Sequence, residues 1–272
     1  MLFLVLISLI LAAILALFAR FATAEGDFTL LSKGHAKREE VDDKVVWITG
    51  ASRGIGEILA KQFARLGAKL ILSARNEAEL ERVKAELVGK HAPGEVKVLP
   101  LDLASGEDSL LQAVEKAESF FPDAGVEYMV HNAAYERPKS TALDVTEEAL
   151  RATFNINVLG TITLTRLLAP FMLKRGRGHF VVMSSAAGKT PAPGQAVYSA
   201  SKYAINGYFH TLRSEKRVTS ERCAELTIVA ATHGLKEVWI SNQFGGNRVE
   251  AAAQKSNTYA WSLLFGHKKK AT

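Results

Sequence analysis

The stretch that decides the fold is TGASRGIG, residues 49–56, which joins a strand-like segment to a helix-like one. Before it, VVWIT (45–49) is rich in β-branched and aromatic residues, as in a buried strand. After it, apolar residues recur at close to helical spacing from Ile55 to Leu66. A glycine-rich turn in this position brings backbone N–H groups and a helix N-terminus to a phosphate. We therefore predict a dinucleotide phosphate loop, with a glycine turn that binds no ligand as the alternative.

The three glycines of this loop have separate expected roles. Gly50 permits a tight turn, Gly54 lets the backbone approach a pyrophosphate, and Gly56 lets the helix pack on the strand. Their order is G-x-x-x-G-x-G rather than the common G-x-G-x-x-G. The predicted cofactor-binding residues of the loop are Gly50, Ser52, Arg53, Gly54, Ile55 and Gly56.

Strand-like and helix-like patterns alternate along the rest of the chain. The predicted strands are 44–49, 69–73, 96–99, 127–130 and 178–183, and the predicted helices are 55–66, 77–87, 109–121, 147–174 and 197–215. This alternation indicates βαβ units with right-handed crossovers. The expected fold class is α/β, a doubly wound parallel sheet of the Rossmann type in a single domain.

The end of the second strand indicates which dinucleotide is bound. An acidic residue there would bind the ribose 2′-hydroxyl of NAD, but this chain has Arg75, and Arg53 lies in the glycine loop. A guanidinium favours a 2′-phosphate, so NADP(H) is the expected cofactor. The alternative is that both arginines are solvated surface residues.

Four polar side chains are predicted to meet at the carboxyl edge of the sheet. Tyr198 and Lys202 stand at i and i+4, on one face of a helix. Ser185 follows the fifth strand, and Asn157 lies on the helix before it. Ligands of doubly wound sheets bind outside the carboxyl ends of the strands. We therefore take these four residues as the candidate catalytic set.

With these residues the chain resembles the short-chain dehydrogenase/reductase family, from Val45 to about Glu215. The motifs that carry the resemblance are Thr49-Gly50-x-x-x-Gly54-x-Gly56, Asp102-Leu103, Asn157, Ser185 and Tyr198-x-x-x-Lys202. Within the family it is similar to the membrane-anchored dehydrogenase/reductase member 7 branch, which is related to 11β-hydroxysteroid dehydrogenases. Residues 25–31 and 235–241 support that similarity.

The resemblance implies a role for each catalytic candidate. Tyr198 would exchange a proton with the substrate, and the Lys202 ammonium would lower the pKa of its phenol. Lys202 would also hydrogen-bond the nicotinamide ribose. Ser185 would orient the substrate carbonyl, and Asn157 would hold a water that links Lys202 to solvent.

The resemblance also implies further cofactor contacts. Asp102, with Leu103 beside it, would contact the adenine, and Asn132 would contact the cofactor or the fourth strand. The family's Asn-Asn-Ala-Gly stands here as HNAA (131–134), and its second alanine is expected to crowd the backbone near the cofactor. His131 is expected to be a packed core histidine. The family further implies a homodimer, packed through the helices that carry Asn157 and Tyr198.

The N-terminus predicts a membrane anchor. Residues 2–18 carry no charge, and residues 2–19 are at the short end of a bilayer-spanning helix. A cleaved signal peptide is the alternative, since Ala22-Thr23-Ala24 fits a cleavage site. Lys and Arg follow the segment and none precedes it, so the body is expected on the cytosolic side. Lys269 and Lys270 resemble a dilysine retrieval signal, which favours the endoplasmic reticulum membrane.

Composition excludes several classes of protein. The 272 residues are 48% hydrophobic with a net charge of +6, and no basic stripe with interleaved aromatics indicates nucleic-acid binding. The only cysteine is Cys223, so neither an intrachain disulfide nor a cysteine-based metal site is expected. The predicted organisation is anchor 1–19, charged linker 20–43, NADP-binding domain 44–245 and tail 246–272.

Proline usage predicts a deletion late in the domain. The family's sixth strand ends in Pro-Gly, but no proline follows Pro193. We expect the sixth strand and the substrate lid to be missing between Glu215 and Arg222, with a divergent turn at 231–234 as the alternative. Two functions then remain open. One is a membrane-anchored NADP(H)-dependent oxidoreductase acting on a small apolar carbonyl or alcohol. The other is a catalytically incompetent Rossmann-like membrane protein that binds nucleotide or partners only.

Overall fold

The computed structural model describes residues 2–22, 36–136, 139–190 and 192–214, in two compact units, Met1–Asp42 and Asp43–Thr272. In the first unit, helix α1 is Leu2–Ala22, and its apolar part Val5–Ala19 is solvent-exposed. One helical stretch of the described residues, Glu147–Arg175, is long and apolar enough to cross a membrane by length and composition. Of its apolar window 44% is buried, and Leu164, Leu168 and Met172 of this stretch belong to the apolar core of the second unit.

A five-stranded parallel sheet forms the centre of the second unit, with the strand order β3-β2-β1-β4-β5. The strands are β1 (Val45–Thr49), β2 (Lys69–Ser73), β3 (Lys97–Val98), β4 (Tyr128–His131) and β5 (His179–Val182). β1 is buried along its whole length, as its apolar run predicts. The order reverses direction at β1, so the loops that follow β1 and β4 lie side by side at the carboxyl edge.

Helices connect the strands. They are α2 (Gly54–Arg65), α3 (Glu77–Ala85), α4 (Glu107–Ser119), α5 (Glu147–Phe154), α6 (Thr161–Arg175) and α7 (Ala196–Ser214). A π-helix, Asn155–Gly160, joins α5 to α6, and a 3₁₀ turn, Ala186–Gly188, follows β5. One apolar core joins β1 and β4 to α4 and α6, and fully buried Trp47, Met129, Leu164 and Leu168 belong to it.

The sequence predicted every strand and α-helix of the described part of this unit, with ends that differ by at most two residues, but it did not predict the 3₁₀ turn Ala186–Gly188. The predicted helix 147–174 is the main difference, because the π-helix interrupts it. The predicted loss of the sixth strand and lid falls on residues 215–222, and the alternative turn falls on 231–234; both lie outside the described residues. The domain boundaries at 19, 43 and 245 stay predictions.

Candidate active site

A cavity of about 680 Å³ opens at the carboxyl edge of the sheet, where the order of the strands reverses. It is lined by nine of the predicted cofactor-binding residues, which are Gly50, Ser52, Arg53, Gly54, Ile55, Arg75, Asp102, Leu103 and Asn132. Gly56, Tyr198 and Lys202, also predicted to bind the cofactor, do not line it. The residues predicted to bind the adenine and the phosphates are thus brought together in one cavity, and Tyr198 lines a second, smaller cavity.

The glycines of the loop differ in what surrounds them. A Cβ on Gly56 would lie 2.1 Å from the Gly50 carbonyl oxygen, so this helix can pack on the loop only with glycine at that position. Gly54 has a left-handed φ of +60°, and a Cβ there would meet nothing within 4 Å. Because Gly54 also lines the cavity, we infer that this open space is part of it. This arrangement fits the close approach of a phosphate group to the loop.

Asn132 and Thr49 join the loop after β4 to the loop after β1. The Asn132 amide donates to the carbonyl oxygens of Thr49 (3.0 Å) and Gly50 (3.1 Å). The Thr49 hydroxyl accepts the backbone N–H groups of Asn132 (3.1 Å) and Ala133 (3.2 Å) and donates to the Val130 carbonyl (3.2 Å). Asn132 therefore fixes the shape of the glycine loop from behind, while it also lines the cavity. Sequence reasoning missed Thr49, which belongs to the quoted motif but was given no role.

A network of charges supports the same loop from the surface. Arg82 of α3 donates to the Ser52 carbonyl (3.2 Å) and pairs with Glu57 (3.1 Å), Glu79 (2.9 Å) and Glu86 (2.9 Å). Hydrogen bonds from Arg82 and Lys61 lower the pKa of Glu57 to about 2. Glu79 lines the cavity, and its pairing with Arg82 offsets a negative charge near the predicted phosphate site. Sequence reasoning missed the link from Arg82 to the loop, because Glu57 and Ser52 lie 25 and 30 residues away from it in the chain.

His131 is a core residue, as predicted. It is 3% exposed and stacks on Phe180. The Thr165 hydroxyl donates its one hydrogen to the Thr161 carbonyl (2.8 Å). At its 2.8 Å contact with His131 Nε2 the hydroxyl must therefore accept a hydrogen bond, which assigns the ring proton to Nε2. Burial lowers the pKa of His131 to about 3, so the ring is neutral near pH 7.

Tyr198 and Ser185 meet beside the end of β5. Ser185 caps the 3₁₀ turn by accepting the Ala187 N–H (3.2 Å), and its side chain lies close enough to that of Tyr198 to act against the rise in the pKa of the phenol. Tyr198 lies in the first turn of α7. Two hydroxyl groups thus converge in the way that is needed to hold a carbonyl oxygen.

Lys202 lies one turn later on α7 and is 3% exposed. Its ammonium donates to the Met183 carbonyl (2.8 Å) and stands 5.5 Å from the centre of the Tyr198 ring. Burial lowers the pKa of Lys202, opposed by Glu136. The expected lowering of the Tyr198 pKa by Lys202 is not found: burial raises that pKa, Ser185 opposes the rise and Glu136 adds to it. The ammonium is directed to a backbone carbonyl instead.

Asn157 is buried in the π-helix and is held at three points. Its Oδ1 accepts the Tyr135 N–H (2.6 Å), and its Nδ2 donates to the Tyr135 carbonyl (2.9 Å) and to the Ser201 hydroxyl (3.1 Å). Both amide hydrogens are therefore used, and the side chain has little capacity left for the water that the resemblance implies. Its evident work is to join the loop after β4 to the helix that carries Tyr198 and Lys202. Such π-turns are frequent at functional sites.

A second, smaller cavity of about 40 Å³ lies beside Tyr198. Glu136 and Gln195 line it and are hydrogen-bonded to each other. The Ser140 N–H also donates to the Gly194 carbonyl (3.1 Å), so two links join the loops on either side of Tyr198. Sequence reasoning missed Glu136 and Gln195 because loop positions carry no periodic signal.

Comparison with known proteins identifies the family. The pattern of the short chain dehydrogenase family matches residues 44–233. Human dehydrogenase/reductase SDR family member 7 is 33% identical over 86% of this chain and 83% of its own. The 11-beta-hydroxysteroid dehydrogenase A of Sesamum indicum is 38% identical over 69% of this chain and 53% of its own.

Solved structures agree with this. A metagenomic short-chain oxidoreductase in complex with NADP superposes with a TM-score of 0.59 at 30% identity, over 64% of this chain and 77% of that one. A putative short chain dehydrogenase from Pseudomonas syringae superposes with a TM-score of 0.63 at 27% identity, over 68% of this chain and 76% of that one. The chain belongs to the short-chain dehydrogenase/reductase family of oxidoreductases.

Proposed function

We propose that this oxidoreductase is membrane-anchored and NADP(H)-dependent, and that it transfers a hydride between the nicotinamide and the carbonyl or hydroxyl group of an apolar substrate such as a steroid, retinoid or other lipid. The observation that carries the proposal is the pairing of the Tyr198 and Ser185 side chains at the same sheet edge as the glycine-loop cavity. The similarity to the Sesamum indicum steroid dehydrogenase supports a lipid substrate.

Residues of the larger cavity fit NADP(H). Arg53 and Arg75 both line it, and two guanidinium groups suit a 2′-phosphate. Gly54 leaves open space at the N-terminus of α2 for the pyrophosphate. Asp102 lines the far side of the cavity and accepts the Ala104 N–H (3.0 Å), which fixes its carboxylate for the adenine end. The similar metagenomic oxidoreductase was solved with NADP.

In the proposed mechanism Ser185 and Tyr198 hold the carbonyl oxygen, and Tyr198 Oη donates its proton to that oxygen during reduction. Burial raises the pKa of Tyr198, so the phenol is protonated before the reaction, and loss of its proton to the substrate needs a nearby positive charge to stabilise the phenolate. The Lys202 ammonium, held by the Met183 carbonyl, keeps a positive charge near the phenol when the phenolate forms. Asn157 holds the loop after β4 against α7 for these contacts. Bound NADPH supplies the hydride.

Cofactor titration tests the nucleotide part of the proposal. NADPH should bind more tightly than NADH when each is titrated by fluorescence, and Arg75→Asp should remove the preference. Arg151→Asp is the matched control, since it makes the same charge change on the exposed surface of α5. Equal binding of both nucleotides by the unaltered chain would overturn the assignment of NADP(H).

Turnover tests the catalytic part. Tyr198→Phe should lower the rate of carbonyl reduction by at least ~100-fold, because it removes the proton donor, and leave NADPH affinity nearly unchanged. Lys202→Ala should weaken both turnover and cofactor binding. Wild-type turnover by Tyr198→Phe would contradict the mechanism, and absent NADPH binding in the unaltered chain would favour a catalytically incompetent protein.

We also infer that α1 holds the protein in the endoplasmic reticulum membrane, with its body in the cytosol. The exposed apolar side chains of Val5–Ala19 support a lipid environment. The lysines at 269 and 270 support retention in that compartment.

A further inference from the structure

Glu136 puts a carboxylate in the small cavity beside Tyr198, and the proposed mechanism does not use it. Glu136 is exposed, lies in the loop after β4, and lines the 40 Å³ cavity together with Tyr198. That cavity has room for one or two water-sized groups and is too small for a lipid. It would therefore take only the substituent that lies next to the reacting carbonyl.

The carboxylate is held in a fixed orientation. The Gln195 side-chain amide donates to Oε1 of Glu136, and Gln195 stands immediately before α7. The Gln195 carbonyl accepts the Ser199 N–H (2.8 Å), so the residue that holds Glu136 is built into the first turn of the helix that carries Tyr198. Within the described residues no other partner of Glu136 is found, so the bond from Gln195 to Oε1 is the one contact that orients it there.

Glu136 also affects the pKa values of Tyr198 and Lys202. Its negative charge raises the pKa of Tyr198 and opposes the lowering of the pKa of Lys202. The carboxylate thus lies within electrostatic reach of both groups, and it shares the small cavity with Tyr198.

We propose that Glu136 is a substrate-selecting residue, which accepts a hydrogen bond from a donor on the carbon next to the reacting carbonyl and repels an anion in the same position. The rest of the cavity wall contains apolar Val145, Ala149 and Val197, which suits a substrate that is otherwise apolar. The preferred class is an apolar ketone with an adjacent hydroxyl group. The inference rests on the proposed carbonyl reduction at Tyr198.

Three ketones of nearly equal size test this selection. They are 2-hydroxyacetophenone, propiophenone and benzoylformate, which carry a hydroxyl, a methyl and a carboxylate next to the carbonyl. The full chain should reduce the hydroxyketone with a kcat/KM about tenfold above that for propiophenone, and benzoylformate should be the poorest substrate. Glu136→Ala should bring the first ratio close to one, and Glu136→Gln should relax mainly the rejection of benzoylformate.

Glu148→Ala is the matched control, because it removes the same charge from the exposed surface of α5, outside the cavity. It should leave all three values of kcat/KM unchanged. If the ratio of kcat/KM for 2-hydroxyacetophenone to that for propiophenone is the same in Glu136→Ala as in the unaltered chain, the inference is wrong. A loss of all turnover by Tyr198→Phe upholds the proposed function independently of that result.

Binding gives a second readout that needs no turnover. In protein labelled with 13C at the tyrosine ring, the Tyr198 resonance is assigned by its loss in Tyr198→Phe. The hydroxyketone should shift this resonance at a concentration about tenfold below that of propiophenone, and Glu136→Ala should remove the difference. Equal concentrations in the unaltered chain would overturn the selection whether or not the protein turns over.

Discussion

Replacement of Gly54 by alanine should separate the stability of the fold from its capacity to bind a dinucleotide. Gly54 has a φ of +60°, in the left-handed region that costs an alanine about 1 kcal/mol. The new Cβ would meet no atom within 4 Å, so no steric clash adds to that cost. The free energy of unfolding should therefore fall by only about 1 kcal/mol.

Cofactor binding should change far more. The space that the methyl group would enter belongs to the 680 Å³ cavity, at the N-terminus of α2 where a phosphate would approach the backbone. A methyl group there keeps the phosphate from the N–H groups, so the Kd for NADPH should rise at least ~10-fold.

Gly176 supplies the control. It ends α6 with a φ of +69°, a Cβ there would also meet nothing within 4 Å, and it lies outside the cavity. Gly176→Ala should thus lose about the same stability in urea unfolding and keep full NADPH affinity by fluorescence titration. If both variants bind NADPH equally well, the assignment of the loop to phosphate binding is refuted.

Three further measurements address other parts of the chain. His131→Leu should flatten the pH dependence of stability. The buried ring has a pKa of about 3 against 6.5 in the unfolded chain, so between these two pH values protons bind preferentially to the unfolded state. The unaltered protein should therefore lose about 2 kcal/mol of stability between pH 6.5 and pH 5. Urea unfolding at pH 7.5 and pH 5 measures this, and an equal loss in both proteins would exclude His131 as its source. Asn157→Ala should lower the free energy of unfolding by about 2 kcal/mol, because the N–H and carbonyl of Tyr135 lose their partner; an unchanged melting temperature would contradict this. Protease added to sealed microsomes should digest the body of the protein, and full protection would refute the cytosolic orientation.

The sheet could be predicted from sequence because its signals are local. β-branched runs such as VVWIT end at glycines or polar residues, and each is followed by a helical pattern. The glycine loop could also be predicted from sequence, because only a glycine at position 56 lets the backbone of the helix lie against the Gly50 carbonyl. Burial of His131 followed from its place at the end of a central strand.

Other features depend on contacts between distant segments. The pairing of Glu136 with Gln195 joins loops 59 residues apart, and the bond from Arg82 to Ser52 spans 30 residues. The direction of the Lys202 ammonium depends on how closely the Met183 carbonyl approaches α7, which no spacing along the chain encodes. Residue types alone therefore indicated a candidate catalytic set but did not give its electrostatics.

The π-helix at Asn155–Gly160 allows the chain to gain or lose one residue between α5 and α6. Its i→i+5 hydrogen bonds take up one residue more than an α-helix uses over the same rise. Deletion of one residue there would yield a continuous α-helix in which Ala149 before it and Leu164 after it could both keep their buried faces. The amide of Asn157 would lose its alignment with Tyr135. A single insertion into an ancestral helix could thus have created this junction without disturbing the core.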